Sequence, residues 1–255
     1  RSVGLGVMGF HSYLQKHSIP LESVMSKAWN KKIFKHIQEH VDQASKDLAD
    51  ERGACPDAAD YGYNERFSNK TAIAPTASIS IICGGASPGV EPVAANSYTH
   101  KTLSGSFNVR NRYLVELLEK HGKNTDDVWS GITTNQGSVS HLDFLTDLEK
   151  DVFKTAFELD QKWIIELSGD RTPYISQAQS INLFVPADIH KRELHKIHFD
   201  AWKKGLKSLY YCRSKSIQRA ENINDAKSTD VLANVYKNKA TKTDEPEYEE
   251  CLSCQ

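Results

Sequence analysis

Cysteine is scarce in this chain: five stand among 255 residues, at positions 55, 83, 212, 251 and 254. Without a secretion signal they do not read as the framework of a disulfide-stapled domain, and the expectation is cytosolic thiols. An excess of charge of one sign is missing too. The formal net charge is −1, and no basic stripe with interleaved aromatics is visible, which removes the electrostatic case for nucleic acid. No apolar run approaches the roughly 20 residues a membrane helix needs. A second C-x-x-C pair that would complete a structural zinc site with Cys251 and Cys254 is absent, and so is the P-loop pattern. The first residue is Arg1 rather than Met, and the opening RSVGLGVMGF lacks the regions of a signal peptide. The expectation is a cytoplasmic chain cut from within a larger protein.

What is present is ordinary globular material, 39% apolar and 25% charged, enough for one large domain or two small ones. Spacing predicts a helix over Val7 to Lys16 and a longer one after Pro20, carried by Leu21, Val24, Met25, Ala28, Ile33, Ile37, Val41 and Ala44 and ended by Gly53. Residues 54–70 are rich in turn formers and read as loop. The stretch 71–92 alternates small, hydroxyl and β-branched residues, which suggests a strand, a turn and a short buried strand at Ile79 to Cys83. Helices are expected at Tyr113 to Lys120, at Asp151 to Leu167 and at Ala187 to Lys204. INLFVP (181–186) and SLYYC (208–212) read as strands. After about Lys215 the composition is that of a disordered tail. Strands alternating with helices indicate an α/β fold with parallel strands.

Three stretches and the chain end are candidates for chemistry. Gly4-Leu5-Gly6-Val7-Met8-Gly9 matches the dinucleotide fingerprint, and Glu22 lies near the expected acidic position. The fingerprint needs a strand before it to present backbone N–H groups to a pyrophosphate, and only three residues precede it. Glycines that allow close packing are the better reading. Pro75-Thr76-Ala77-Ser78-Ile79-Ser80, with the turn Gly84 to Gly89 behind it, could bring N–H and O–H donors close to an anion. It could equally be a hydroxyl-rich turn between buried strands. Tyr210 and Tyr211 are adjacent, so on a regular strand they would face opposite ways, and only a local break or bulge would bring the rings together. By composition alone they are two packed tyrosines. Cys251 and Cys254 at the chain end suit thiol–disulfide exchange, which needs access to sulfur. Glu249 and Glu250 disfavour the thiolate, so no unusually acidic thiol is expected.

Taken together, the segments RSVGLGVMGF, GACP (53–56), APTASISIICGGASPGVEP (74–92), KTLSGSF (101–107), INLFVPADIHKRELH (181–195), AWKKGLKSLYYCRSKSIQRAE (201–221) and ECLSCQ resemble the carboxy-terminal half of the large catalytic subunit of class I ribonucleotide reductases. The resemblance implies the second half of a ten-stranded α/β barrel over residues 1–213 and a flexible redox tail over 214–255. It implies reduction of ribonucleoside diphosphates to deoxyribonucleoside diphosphates for DNA synthesis. Pro75, Thr76, Ala77, Ser78 and Ile79 then correspond to the loop that holds the substrate diphosphate, with Ile79 lacking a hydroxyl that some members carry. Tyr211 would receive a radical from a separate small subunit and Tyr210 would pass it to an active-site cysteine. Cys251 and Cys254 would reduce the active-site disulfide and be re-reduced by thioredoxin or glutaredoxin, on a tail of ~36 residues whose r.m.s. span as a coil is about 30–36 Å.

The N-x-C-x-E of the radical-bearing cysteine is not found here. An upstream half of the large subunit is therefore an expected partner, and nucleotide effectors would bind there. No cofactor or metal is expected on this chain itself; the metal–radical cofactor belongs to the small subunit. Cys55, Cys83 and Cys212 are expected to be structural thiols. The alternative is a non-catalytic module whose C-x-x-C tail binds a metal or a redox partner.

Overall fold

The computed structural model describes residues 1–102 and 105–214. Strand β1 (Ser2–Leu5) runs through a glycine turn into helix α1 (Phe10–Lys16), whose N-cap Gly9 is left-handed at φ 82°. Helix α2 (Val24–Arg52) starts where the Ser23 side chain accepts the Ser26 N–H, and it stops at Gly53. Helix α3 (Pro56–Asp60), with proline in its first turn, and strand β2 (Asn69–Thr71) follow. Helix α4 (Ala77–Ile82) leads to a hairpin of β3 (Ser97–Thr102) and β4 (Gly105–Arg110). Helices α5 (Arg112–Lys120), α6 (Asp126–Thr134) and α7 (Asp147–Val152) come next. Helix α8 (Gln161–Arg171), strand β5 (Leu183–Val185), helix α9 (Lys191–Lys203) and strand β6 (Cys212–Ser214) complete the described chain.

The frame is parallel. β1 pairs with β2 through Ser2–Asn69 and Leu5–Thr71. On the far side of β2, Gln177 N–H donates to Thr71 O at 3.0 Å, and Ile73 pairs in parallel with Gln179. The passage through residues 177–180 continues as β5, which pairs in parallel with β6 from Leu183–Cys212 to Val185–Ser214. The order across this face is thus β1, β2, β5, β6, the α/β arrangement that alternating strands and helices indicated.

Two cores flank this frame. One joins Phe10 and Leu14 of α1, Phe34 of α2, Ile73, Ile164 and Leu167 of α8, and Ile181. The other lies among α5, α6 and α7, around Leu114, Leu118, Trp129, Ile132, Val152 and Phe153. A smaller cluster seats Ala201 of α9 on Leu183 and Val185 of β5.

Several expectations are corrected. Residues 79–83 form no strand: they belong to helix α4 and the cysteine that caps it. Gly84 and Gly85, both at positive φ, close this helix by letting the Gly85 N–H reach back to Ser80 O and Ile81 O, and this local stop overrides the β-branched composition. Its apolar side chains are not buried either, since Ile79 and Ile82 are 56% and 84% exposed. The apolar pattern over 151–167 is split between α7 and α8, because Asp160 caps the second helix by accepting the Lys162 N–H. The region 54–70 holds α3 and the start of β2 as well as loop. Helix α1 begins three residues later than expected and α9 four, at Gly9 and His190 caps. The last strand begins at Cys212, not Ser208.

Candidate functional site

The loop before α4 is shaped by two residues in unusual backbone regions. Thr76 is left-handed at φ 54°, rare for a β-branched residue. Its carbonyl accepts the Ser80 N–H at 2.9 Å, and its Oγ1 accepts the Gly89 N–H at 2.7 Å. Gly89 has φ 49°, and a Cβ there would lie 2.8 Å from the Ala74 carbonyl oxygen, so only glycine lets the two loop arms close. Helix α4 opens without a side-chain cap, which leaves its first N–H groups without intrahelical partners. Ala77, Ser78 and Ile79 are exposed at this end, whereas the Thr76 hydroxyl oxygen is already engaged.

This loop forms one wall of a cavity of ≈ 530 Å³, lined by Pro75 to Ile79, Pro88, Glu91, Pro92, Ala94, Asn182, Phe184, Tyr210 and Arg213. All five residues of the expected substrate loop and one of the two tyrosines therefore face the same space.

The tyrosine rings meet, with centroids 4.1 Å apart and planes inclined by 55°. A one-residue slip in the parallel ladder makes this possible. In the β5–β6 register Leu183 lies opposite Cys212, so Ile181 should lie opposite Tyr210 and its carbonyl should take the Tyr211 N–H. Instead the Tyr210 N–H donates to Ile181 O at 2.9 Å, while the Leu183 N–H donates to Tyr211 O at 2.8 Å. Tyr210 and Tyr211 thus oppose the single residue Asn182, which is a β-bulge. The surplus donor, the Tyr211 N–H, goes to Asn182 Oδ1 at 3.1 Å. The Arg213 guanidinium lies 5.7 Å from the centre of the Tyr211 ring.

Sequence reasoning missed Glu91, Asn182 and Arg213. Glu91 is 4% exposed, and its two oxygens accept from the Asn182 backbone N–H at 2.9 Å and from Asn182 Nδ2 at 3.0 Å. Burial raises its carboxyl above the ordinary carboxylate value, opposed by the Asn182 donors and by the charges of Arg213 and Arg171. The available signal was a polar residue inside an apolar run: glutamate within Val90-Glu91-Pro92-Val93, asparagine within Ile181-Asn182-Leu183.

The glycine fingerprint is confirmed as packing, although a strand does run through it. Gly4 lies within β1, and a Cβ on Gly6 would fall 2.6 Å from the Ala72 carbonyl oxygen. Three N–H groups where the motif enters α1 are taken: Gly9 donates to Ser87 O, Phe10 to Gly89 O and Ser12 to Ser87 Oγ. Of the three thiols expected to be structural, Cys55 is fully buried. Cys83 and Cys212 are exposed, which corrects that expectation, because one caps α4 and the other sits on the outermost strand of the described frame. Cys251 and Cys254, with the expected tail from 215 onward, lie outside the described residues. Among the described residues no helix is long and apolar enough to cross a membrane.

Comparison with known proteins converges on one family. The family model described as "Ribonucleotide reductase, barrel domain" matches residues 1–65 and 57–212. The ribonucleoside-diphosphate reductase large subunit of Invertebrate iridescent virus 6 is 49% identical over 227 residues, covering 88% of this chain and 24% of that protein. The putative ribonucleoside-diphosphate reductase large subunit of Frog virus 3 is 39% identical over 255 residues, covering 100% of this chain and 42% of that one. Among solved structures, the class Id ribonucleotide reductase alpha subunit of Actinobacillus ureae superposes with a TM-score of 0.78 at 41% identity, over 85% of this chain and 39% of that chain. The chain spans about a quarter to two fifths of the length of these relatives.

Proposed function

The chain belongs to the ribonucleotide reductase large-subunit family, in its barrel domain, and from that premise we propose that it serves the radical-based reduction of ribonucleoside diphosphates to deoxyribonucleoside diphosphates. The observation that carries this reading is the shared cavity, which the loop Pro75 to Ile79 and Tyr210 both line.

In this reading the diphosphate sits against the loop, where the exposed Ser78 hydroxyl and the uncapped N–H groups of α4 supply donors. Tyr211 takes the radical from a small subunit, whose metal–radical cofactor generates it. The phenolic proton and one electron of Tyr210 then pass to the Tyr211 oxyl, leaving Tyr211 neutral and Tyr210 as the radical. The contact at 4.1 Å makes this a short hop. The acceptor after Tyr210 is a cysteine supplied by the upstream part of the subunit, as are the reducible pair and the effector sites. Cys251 and Cys254 return reducing equivalents from thioredoxin or glutaredoxin in the cytoplasm.

The experiment uses the full-length subunit with its small subunit and compares a single turnover from pre-reduced enzyme with a thioredoxin-driven steady state. Tyr210→Phe and Tyr211→Phe keep ring volume but remove an oxidisable O–H, so both assays should fall to background. Cys251→Ser and Cys254→Ser should spare the single turnover and abolish the steady state, with partial rescue by a small dithiol. Turnover by either phenylalanine variant would sink the relay, and loss of the single turnover in the serine variants would sink the shuttle.

A further inference from the structure

We infer that Glu91 is a positioning residue for the tyrosine pair: its carboxylate holds Asn182 so that the asparagine carbonyl pins the Tyr211 amide in the bulge. The inference rests on the radical-transfer reading above.

A primary amide such as that of Asn182 can present oxygen or nitrogen to a given neighbour by a half-turn about χ2, and in most settings the two orientations differ little in energy. Here the neighbours break the tie. The two Asn182 donors and the charges of Arg213 and Arg171 favour the ionised carboxylate against burial. In that form Glu91 only accepts, so it admits only the orientation that turns Nδ2 toward it, at 3.0 Å. The opposite side of the amide must then show Oδ1, and it does so to the Tyr211 N–H at 3.1 Å. Flipping the amide would set oxygen against carboxylate in a buried place and NH₂ against the part-buried Tyr211 N–H, two repulsive contacts. The second carboxylate oxygen accepts the Asn182 backbone N–H at 2.9 Å, so the same group fixes the strand and its side chain together.

The Tyr211 N–H is the donor that the bulge leaves over. Without an acceptor at Asn182 it would lose its partner within the protein, and a one-residue slide of the ladder would supply another, Ile181 O. A one-residue slip sends adjacent side chains to opposite faces. The two phenols would part, and Tyr210 would turn away from the cavity it now lines with Glu91. In this chain of contacts Glu91 acts through Asn182.

The test is a donor–acceptor swap in the full-length subunit assayed with its small subunit. In Glu91→Gln the Asn182 backbone N–H holds the amide oxygen, so an NH₂ group faces the Asn182 side chain and favours its flipped orientation. Asn182→Asp sets two carboxylates face to face. Each should lower kcat by about tenfold or more while the KM for the nucleoside diphosphate stays within about twofold, because the loss lies in the hop and not in binding. The double variant restores the pattern. The amide introduced at position 91 then donates to the carboxylate introduced at position 182, whose other oxygen accepts the Tyr211 N–H, and kcat should recover to within about threefold of the parent. Unchanged kcat in both single variants would overturn the proposal. So would a folded double variant that stays as slow as the single variants, or single variants that raise KM at unchanged kcat. If a single variant fails to fold, the swap alone decides: recovery supports the proposal, and a folded, slow double variant refutes it. Tyr211→Phe in the same assay separates the layers. If it is active, the relay itself fails; if it is inactive while Glu91→Gln turns over normally, only the role of Glu91 fails.

Discussion

Around Leu114, Leu118, Trp129 and Ile132 the interior is mostly apolar, with Asn96 the buried polar side chain that donates to the Phe153 carbonyl. Other polar groups work at its rim: Thr125 and Thr146 cap α6 and α7, and the Trp129 indole N–H donates to Asn124. Behind the parallel strands the apolar packing is threaded with buried polar groups. Arg171 is buried and donates to Gln179 at 2.6 Å, Asn30 at 3.0 Å and Ser168 at 2.9 Å, while its guanidinium faces the rings of Phe10 and Phe34. Burial, opposed by the charges of Asp170 and Glu91, brings its pKa down to about 9, so it stays charged at neutral pH. His11, whose buried Nε2 has no hydrogen-bond partner, and the Glu91–Asn182 pair are buried as well. An apolar core accepts many arrangements of similar volume, whereas a largely hydrogen-bonded polar one accepts very few. The half that carries the site is the half whose strands cannot shift without leaving donors unpaired.

The sharpest way to break this contrast is one residue type placed in both cores. Arg171→Met keeps an unbranched stem but orphans acceptors on Gln179, Asn30 and Ser168, and should cost about 3 kcal/mol or more in denaturant unfolding. Leu118→Met on the apolar side should cost under about 1.5 kcal/mol. Equal costs would erase the distinction. A second effect of nearly that size belongs to His11, buried and neutral, with Nδ1 accepting the Val93 N–H. Burial lowers its pKa from 6.5 to about 4. Between those values the unfolded chain binds a proton that the folded chain refuses, so stability should fall as pH drops from 6.5 toward 4, by about 3 kcal/mol in all. His11→Gln should flatten that slope in pH-dependent unfolding curves, and an unchanged slope would place the titration elsewhere.

How much of this was legible from sequence follows the same division. The ends of α2 and α5 were read closely, because Gly53 and Gly122 stop them, but the face of α2 was not. It buries Ser26, Asn30, Phe34, Ser45 and Ala49, while Val24, Met25, Ala28 and Ala44 of the expected apolar face are exposed. The parallel α/β class was legible too. Strand alternation said that a bulge would be needed if the Tyr210 and Tyr211 rings were to meet, although only the family resemblance led to the expectation that they do. Helix α4 was misread, since its start depends on a left-handed Thr76 held by Gly89, a contact that local spacing does not reveal. Glu91 and Asn182 were missed because their partners are distant in sequence.

Smaller effects test the site and then the rim. Ser78→Ala in the assembled enzyme should raise the substrate KM about ten- to a hundredfold, the equivalent of roughly 1.5–3 kcal/mol for one hydrogen bond to a charged group. If Thr76→Ala raises KM and Ser78→Ala does not, the loop is right and the hydroxyl wrong. Thr146→Ala removes the capping box with Glu149 and should cost about 1 kcal/mol, with KM unchanged.

The parallel register also sets an order in time. β1 meets β2 by joining residue 2 to residue 69, and the next contact joins 73 to 179, whereas the β3–β4 hairpin joins 97 to 110. Closing long loops is entropically slower than closing short ones. The hairpin and its neighbouring helices should therefore condense first and the parallel face last. The cavity, whose walls come from residues 75–94 and 182–213, would be among the final features to appear during refolding, and its amides among the first to open to solvent exchange.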